Sequence, residues 1–523
     1  MSKTRIGEAL IKLLEQMEVE IVFGIPGVHT VELYRGLDGS VIRHITPRHE
    51  QGAAFMADGY ARVTGKPGVC LLITGPGFTN AITAIAQARA DSVPMLIISG
   101  VNAGDTLGKQ EGRLHELPDQ AALSRTVCLE TFTLMQPERL GEVVDKAFEV
   151  MMSGRPGPVH IEIPTDVMGM EVDLPALLPT PGAPRIEPSA SELDQALAMC
   201  QSATAPLILA GGGVREAAPL RALAEKLDAP VISTTNARGL MADHPLNVPA
   251  SPSLKAIRDL IDEADLVLAL GTEIGETDYD FYGLGALPAQ DNMIRVDIDP
   301  TQFTKRRDQG LMIEADAAAL ASALAGRLSS ASKHGAERAA KAREVAHQDI
   351  PPAYRSHIAL LEGIWRQRPE TIIVGDSTQV VYAGCLMLDV PRPAAWFNSA
   401  TGFGTLGYAA PAAIGAALGQ PDRPIICLIG DGGLQFTLAE LGSAVDCGAD
   451  VTFLVWNNRG YQEIESAMVD ADVAPLGVTP SAPDFVKIAE AYGLQAKRVT
   501  DKDDLHAVIS NAKGPSLIEF CSP

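Results

Sequence analysis

Ile425-Ile426-Cys427-Leu428-Ile429-Gly430-Asp431-Gly432-Gly433 is an apolar run closed by glycines. After 24 residues beyond Gly432 it is answered by Asn457-Asn458, at the end of Val451-Thr452-Phe453-Leu454-Val455-Trp456. A continuous apolar stretch of this length reads as a strand buried on both faces, as in a parallel sheet. Leu434, Leu438, Leu441 and Val445 then recur at helical spacing, so the glycines mark the passage from strand to helix. Free N–H groups at a helix start suit a phosphate where no Cβ is in the way. Asp431 beside them suits a hard cation. The second strand would deliver Asn458 to the same sheet edge.

Working outward, strand-like runs at 21–25, 41–45, 69–73, 95–99 and 159–163 alternate with helical stretches, the rhythm of a parallel sheet covered by helices. A proline-rich segment at 174–188 reads as a linker. The rhythm resumes at 206–210, 230–233, 266–270 and 294–298, with Gly211-Gly212-Gly213 after the first of these strands. That glycine turn is read as an ordinary strand-to-helix turn, since a lone triplet does not specify a dinucleotide. Residues 329–348, rich in Ala, Lys, Arg and Glu, read as a solvated helix or linker. Strands at 371–374, 425–430, 451–455 and 516–520 complete the chain. Val69-Cys70-Leu71-Leu72-Ile73-Thr74-Gly75-Pro76-Gly77 lies over Ile425 to Gly433 at an offset of 356. The expectation is an α/β protein of three doubly wound domains with parallel sheets, at 1–170, 189–327 and 353–523, the first and third similar.

The chain has 523 residues, of which 46% are hydrophobic and 20% charged, with a formal net charge of −23. That charge argues against nucleic-acid or anionic membrane surfaces as partners. No apolar run reaches the roughly 18 residues of a membrane span, and residues 1–5 lead into an amphipathic helix rather than a signal peptide. A cytoplasmic protein is expected. Seven cysteines without CxxC pairs read as small buried side chains.

The Gly-Asp-Gly turn paired with Asn-Asn resembles the signature of thiamine diphosphate (ThDP) enzymes. Arg48-His49-Glu50-Gln51-Gly52-Ala53-Ala54 resembles a helix of their acetolactate synthase-like branch. The resemblance implies that Asp431, Asn458 and the Gly460 carbonyl hold Mg²⁺, with Gly430, Gly432 and Gly433 at the diphosphate. It implies that Glu50 hydrogen-bonds the aminopyrimidine ring, so that the coenzyme becomes its own base. For that role Glu50 must be buried, with a raised pKa. Pro26 and Gly27 match the family's first glycine loop. Thr74, Gly77 and, on the following helix, Asn80 match the loop by the pyrimidine. Gly404 matches a carbonyl that receives the 4′-amino group, and Leu406 the wedge between the coenzyme's rings. Ser377, Thr378 and Gln379 fall where diphosphate contacts are placed, with Val380 replacing a family histidine. The implied assembly is a homodimer or homotetramer with shared active sites. Glu273 replaces the arginine that touches FAD, so FAD is not expected.

The segment after the metal ligands, Gly460-Tyr461-Gln462-Glu463-Ile464-Glu465-Ser466-Ala467, lines the substrate entrance in that family and here carries two carboxylates. At i and i+2 on a helix they do not share a face, so one of Glu463 and Glu465 is expected to receive the cationic tail of a 2-oxo acid. With Val28 at the position where pyruvate decarboxylase carries a proton-handling aspartate, His29 and His115 are the imidazoles expected near the reacting carbon. The chain looks similar to the 5-guanidino-2-oxopentanoate decarboxylases. The expected reaction is decarboxylation of a cationic 2-oxo acid, the alternative being acetolactate synthase-type carboligation of pyruvate.

Overall fold

The computed structural model describes residues 3–174, 185–280, 285–287, 290–305 and 310–522. Residues 175–184 of the expected linker lie outside them. The first sheet comprises β1 (Ile21–Gly24), β2 (Arg43–Ile45), β3 (Gly68–Leu72), β4 (Met95–Val101), β5 (Glu130–Thr133) and β6 (Pro158–Pro164). Its order is β2-β1-β3-β4-β6-β5, with every neighbour parallel. The middle sheet comprises β7 (Pro206–Ala210), β8 (Val231–Ser233), β9 (Asn247–Val248), β10 (Leu266–Leu270), β11 (Met293–Asp297) and β12 (Gly310–Glu314), in the order β9-β8-β7-β10-β11-β12. The last comprises β13 (Ile372–Gly375), β14 (Trp396–Asn398), β15 (Ile425–Gly430), β16 (Val451–Asn457), β17 (Gln495–Val499) and β18 (Ser516–Cys521), in the order β14-β13-β15-β16-β18-β17.

Numbered within each sheet, the first and last share the order 2-1-3-4-6-5, while the middle one is 3-2-1-4-5-6, the dinucleotide-fold order. The offset of 356 lays β3 on β15, each the third strand of its sheet. The expected α/β class and the likeness of the first and third sheets are borne out. In the middle sheet the glycine triplet forms a turn. A Cβ on Gly211 would lie 2.2 Å from the Gly271 carbonyl oxygen, so this glycine serves close packing of two strand ends.

Every residue of β3, β4, β6, β15 and β16 is buried. Each fully buried Leu, Ile or Val contributes about 1.5–3 kcal/mol, which keeps these strand ends in place beneath the site. The register pairs Gly430 with Trp456, setting Asp431 and Asn457-Asn458 side by side where β15 and β16 end. One expectation is corrected. The helical spacing after Gly433 forms two helices, α4 (Asp431–Phe436) and α5 (Glu440–Cys447), not one. Thr437 closes the first turn by donating to the Gly407 carbonyl at 2.8 Å.

The chain forms two compact units, one of residues 1–183, 374–377 and 402–523, the other of residues 184–373 and 378–401. Within the first, α1 (Glu50–Thr64) packs on α3 (Ala409–Gly419), and α2 (Pro76–Ala90) also packs on α1. The α1–α3 contact is backbone to backbone: a Cβ on Gly59 would lie 2.0 Å from Ala412 O, and one on Gly415 1.9 Å from Met56 O. Among the described residues, no helix is long and apolar enough to cross a membrane. All seven cysteines are unpaired thiols.

Candidate active site

Asp431 stands where β15 turns into α4 and is 1% exposed. Its Oδ1 lies 3.4 Å from the Asn458 N–H, and its Oδ2 is buried without a hydrogen-bond partner. Burial raises its pKa, partly offset by the surrounding N–H groups. The two asparagines divide their work. Asn457 donates to Glu519 Oε1 at 2.7 Å and accepts from the Arg459 N–H at 3.1 Å, which fixes the turn and leaves Asn458 facing Asp431.

One terminal atom of the Asn458 amide lies 2.8 Å from the Gly460 carbonyl oxygen and 3.1 Å from Asp431 Oδ1. If that atom is nitrogen, it donates to both. If it is oxygen, three oxygens converge at a spacing that only a cation between them would stabilise. An octahedron with metal–oxygen bonds of about 2.0–2.1 Å has edges of about 2.9 Å, so these donors fit Mg²⁺. Gly460 is required at its position because a Cβ there would meet the Val478 carbonyl oxygen at 2.5 Å. Among the described residues no three His, Cys, Asp or Glu side chains gather as a metal site. The donors here are a carboxylate, an amide and a main-chain carbonyl.

Glu50 is the first residue of α1, and its Oε2 accepts from Asn80 Nδ2 at 2.9 Å. The Cβ position of Gly77 is 3.4 Å from Glu50 Oε1, so two residues expected beside the pyrimidine do flank this carboxylate. The expectation of a buried Glu50 is corrected for the single chain. As the opening residue of an otherwise largely buried helix, it is half-buried.

Gly404 and Leu406 bracket Thr405, which is buried and held at both ends by Gln87: its hydroxyl is 3.1 Å and its N–H 3.4 Å from Gln87 Oε1. Gly404 is exposed and Leu406 half-buried. Beneath this segment sits Asp376, fully buried, accepting from the N–H groups of Ser377 at 2.9 Å and Ala409 at 3.0 Å. Burial pushes its pKa up to about 6. A Cβ on Gly433 would lie 2.8 Å from its Oδ1, so this carboxylate also abuts the Gly-Asp-Gly turn. Ser377 remains with this unit. Thr378 and Gln379 belong to the other, where Gln379 opens the helix Gln379–Leu386.

His29 and His115 are brought together, their ring centroids 5.3 Å apart at 69°. Burial, and then the charge of His115, lowers the His29 pKa. The Nδ1 atoms of both rings are buried without a hydrogen-bond partner. Gly27 and Thr30 form the turn that carries Val28 and His29: the Thr30 N–H donates to Gly27 O at 2.9 Å. Val28 is 68% exposed. Thr74 is buried, with its Oγ1 unpartnered, and Pro26 is exposed. Glu463 and Glu465 lie on α6 (Gln462–Asp470), a helix with no buried residue. Both are half-buried while Ile464 and Ser466 between and after them are exposed. Residues at i and i+2 point to different faces, yet this helix shields both carboxylates to a similar degree.

Two buried polar residues that hold these groups, Gln120 and Glu440, were missed from the sequence, and Asp376 was placed in the diphosphate segment without its role as the buried carboxylate beneath it. Glu440, on α5, accepts from the N–H groups of Arg48 at 3.0 Å and His49 at 3.1 Å, just before Glu50. A lone polar residue inside an apolar helical pattern was the available signal for Glu440.

Three family models cover most of the chain: the N-terminal TPP binding domain of thiamine pyrophosphate enzymes over residues 4–123, their central domain over 193–324, and their C-terminal TPP binding domain over 376–520. The probable 2-ketoarginine decarboxylase AruI of Pseudomonas aeruginosa is 42% identical over 98% of this chain and 93% of its own length. The large subunit of acetolactate synthase isozyme 1 of Escherichia coli is 32% identical over 98% of this chain and 92% of its own. A probable acetolactate synthase large subunit of Methanococcus aeolicus is 30% identical over 98% and 91%. The family resemblance drawn from Glu50, Asp431 and Asn458 is borne out.

Proposed function

Because this chain belongs to the thiamine pyrophosphate enzymes, we propose that it decarboxylates a 2-oxo acid with a cationic side chain, such as 5-guanidino-2-oxopentanoate (2-ketoarginine). The observation that carries the reading is its full-length similarity to the Pseudomonas decarboxylase. When bound, thiamine diphosphate supplies a nucleophilic carbon for the keto group and an electron sink as CO₂ leaves. Asp431, Asn458 and the Gly460 carbonyl would hold Mg²⁺ against its diphosphate, with Gly430, Gly432 and Gly433 clearing space for phosphate oxygens. Ser377, Thr378 and Gln379 would complete the diphosphate contacts.

Glu50 accepts or shares the proton at the aminopyrimidine ring, with Asn80 fixing its rotamer through the 2.9 Å bond. In one chain Glu50 and Asp431 have separate partners. We place each Glu50 at the coenzyme held by a second copy, in a homodimer or tetramer with shared sites, where its burial is completed. Thr74, Gly77, Pro26 and Gly27 line the pyrimidine side, and Gly404 and Leu406 set the coenzyme's bend. His29 and His115 deliver the proton that releases the aldehyde, with Val28 beside them at the reacting carbon. Glu463 or Glu465 pairs with the guanidinium, a contact worth about 1.5–3 kcal/mol where partly desolvated. FAD is given no role. The domains are taken as 1–170, 189–327 and 353–523, and the enzyme as cytoplasmic.

The second reading is carboligation of pyruvate, which the acetolactate synthase relatives favour. A panel of 2-oxo acids assayed for CO₂, aldehyde and acetolactate separates the two. The proposal expects guanidino aldehyde from 5-guanidino-2-oxopentanoate as the fastest reaction. Acetolactate from pyruvate at a higher rate would replace it with the second reading.

A further inference from the structure

Gln120 is 3% exposed and uses both ends of its amide. Its Oε1 accepts the Gly75 N–H at 2.9 Å. Its Nε2 lies 3.1 Å from each of Ser99 Oγ, the Gly100 carbonyl oxygen and Glu162 Oε2. Gly75 and Gly100 are the backbone against which the two histidines rest. A Cβ on Gly75 would meet His115 O at 2.3 Å, and one on Gly100 would meet His29 O at 3.0 Å and His29 Cβ at 3.3 Å. One amide therefore spans the glycines that abut the main chain of both histidines. His115 has φ +60°, a left-handed backbone that a non-glycine residue keeps only where its surroundings impose it. The contact with Gly75 and the bond from Asn102 Nδ2 to Leu114 O at 2.9 Å impose it here.

Behind Gln120 lies a buried network of hydroxyls around one imidazole. Thr131 Oγ1 donates to Ser124 Oγ at 2.8 Å, and Ser99 Oγ donates to Gly100 O at 3.0 Å. Ser99 Oγ also lies 2.8 Å from His160 Nε2, and Ser124 Oγ lies 2.9 Å from His160 Nδ1. His160 is fully buried, stacks on Phe78 at 4.6 Å and is neutral, burial having lowered its pKa to about 3. Glu162 closes the far side, its Oε1 accepting from Thr133 Oγ1 at 2.7 Å. Asp119 and Arg125 are the other charged groups felt there. A buried network hydrogen-bonded in this way is rigid.

We propose that Gln120 is the positioning residue of the His29–His115 pair, fixing the separation of the two imidazoles through Gly75 and Gly100 without touching substrate or coenzyme. The inference rests on the reading of that pair as the proton-handling groups. Two variants test it in the full-length protein. Gln120→Met fills the space without hydrogen bonds. Gln120→Glu keeps the acceptor for Gly75 and loses the donors.

Histidine NMR titration of the unloaded chain, assigned with His29→Gln and His115→Gln, is read beside turnover with ThDP and Mg²⁺. In Gln120→Met the His29 midpoint is expected to rise toward its ordinary value. Aldehyde release is expected to slow by about tenfold or more at saturating ThDP. Gln120→Glu is expected to fall between Gln120→Met and wild type. A wild-type titration and wild-type turnover in a folded Gln120 variant would overturn the positioning role while leaving the proposed reaction intact. Wild-type turnover in both histidine variants would overturn the reading of the pair, and the positioning role with it.

Discussion

Glu440 Oε1 accepts the main-chain N–H of His49 at 3.1 Å, so a carboxylate nine residues beyond Asp431 holds the backbone immediately ahead of Glu50. The same side chain accepts from Arg48 N and, at 2.6 Å, from Ser443 Oγ. It is 1% exposed, and burial raises its pKa. A carboxylate at these N–H groups also complements the N-terminal end of α1.

Glu440→Ala removes the acceptor of the Arg48 and His49 N–H groups and is expected to cost about 1.5–3 kcal/mol of stability in urea denaturation. Because Glu50 loses its fixed entry into α1, kcat should also fall by about tenfold or more. Glu440→Gln keeps one acceptor oxygen and should lie between. Wild-type kcat in Glu440→Ala would separate the clamp from Glu50.

Asp431→Ala and Asn458→Ala remove two of the three oxygens and should abolish the thermal stabilisation that ThDP with Mg²⁺ confers. For wild type that stabilisation is about 2.7 kcal/mol at one hundred times the Kd. Gly460→Ala should weaken it as well, through the clash with Val478 O rather than loss of a donor. Retained stabilisation in Asp431→Ala would remove this carboxylate from the metal shell. EDTA should reverse the stabilisation in the wild type.

His160 supplies a pH dependence of known sign. Its pKa is depressed in the fold, from 6.5 to about 3, so the neutral form is the folded one. Its contribution is full above pH 6.5 and is lost as pH falls toward 3, at about 1.4 kcal/mol per unit. The urea midpoint should drop between pH 6.5 and pH 4. His160→Gln should flatten that limb, and an unchanged slope would contradict the assignment.

Arg62 is 9% exposed and pairs with Asp58 at 2.6 Å and Asp91 at 2.5 Å, while Tyr408 donates to Asp58 at 2.5 Å. Arg62→Met strands two carboxylates in the interior and should cost about 3–5 kcal/mol. Equilibrium unfolding reads this directly, and a loss under about 1 kcal/mol would show that the pair is hydrated.

The apolar centre of each sheet was legible because those strands are buried on both faces and need no alternation. Within the three six-stranded sheets, the five strands without a sequence signal, β5, β9, β12, β14 and β17, all lie at sheet edges. There the chain can be polar, as in Gln495-Ala496-Lys497-Arg498-Val499, where two residues carry charge and only Val499 is buried. Asp431, Asn458 and Glu50 were legible because glycines, paired asparagines and a helix start frame them. Gln120, Glu440 and the buried role of Asp376 were not. Their roles come from contacts spanning tens to hundreds of residues, such as Glu440 with Arg48. Local spacing carries no trace of such contacts beyond the lone polar residue at position 440. The split between α4 and α5 was hidden for the same reason, since the Thr437 bond to Gly407 is tertiary.

The most direct measurement is CO₂ release from 5-guanidino-2-oxopentanoate by the full chain with ThDP and Mg²⁺, comparing wild type with Glu50→Gln. The account predicts stoichiometric guanidino aldehyde from the wild type and a loss of about a hundredfold or more in Glu50→Gln. No CO₂ release by the wild type, or an undiminished rate in Glu50→Gln, would contradict it.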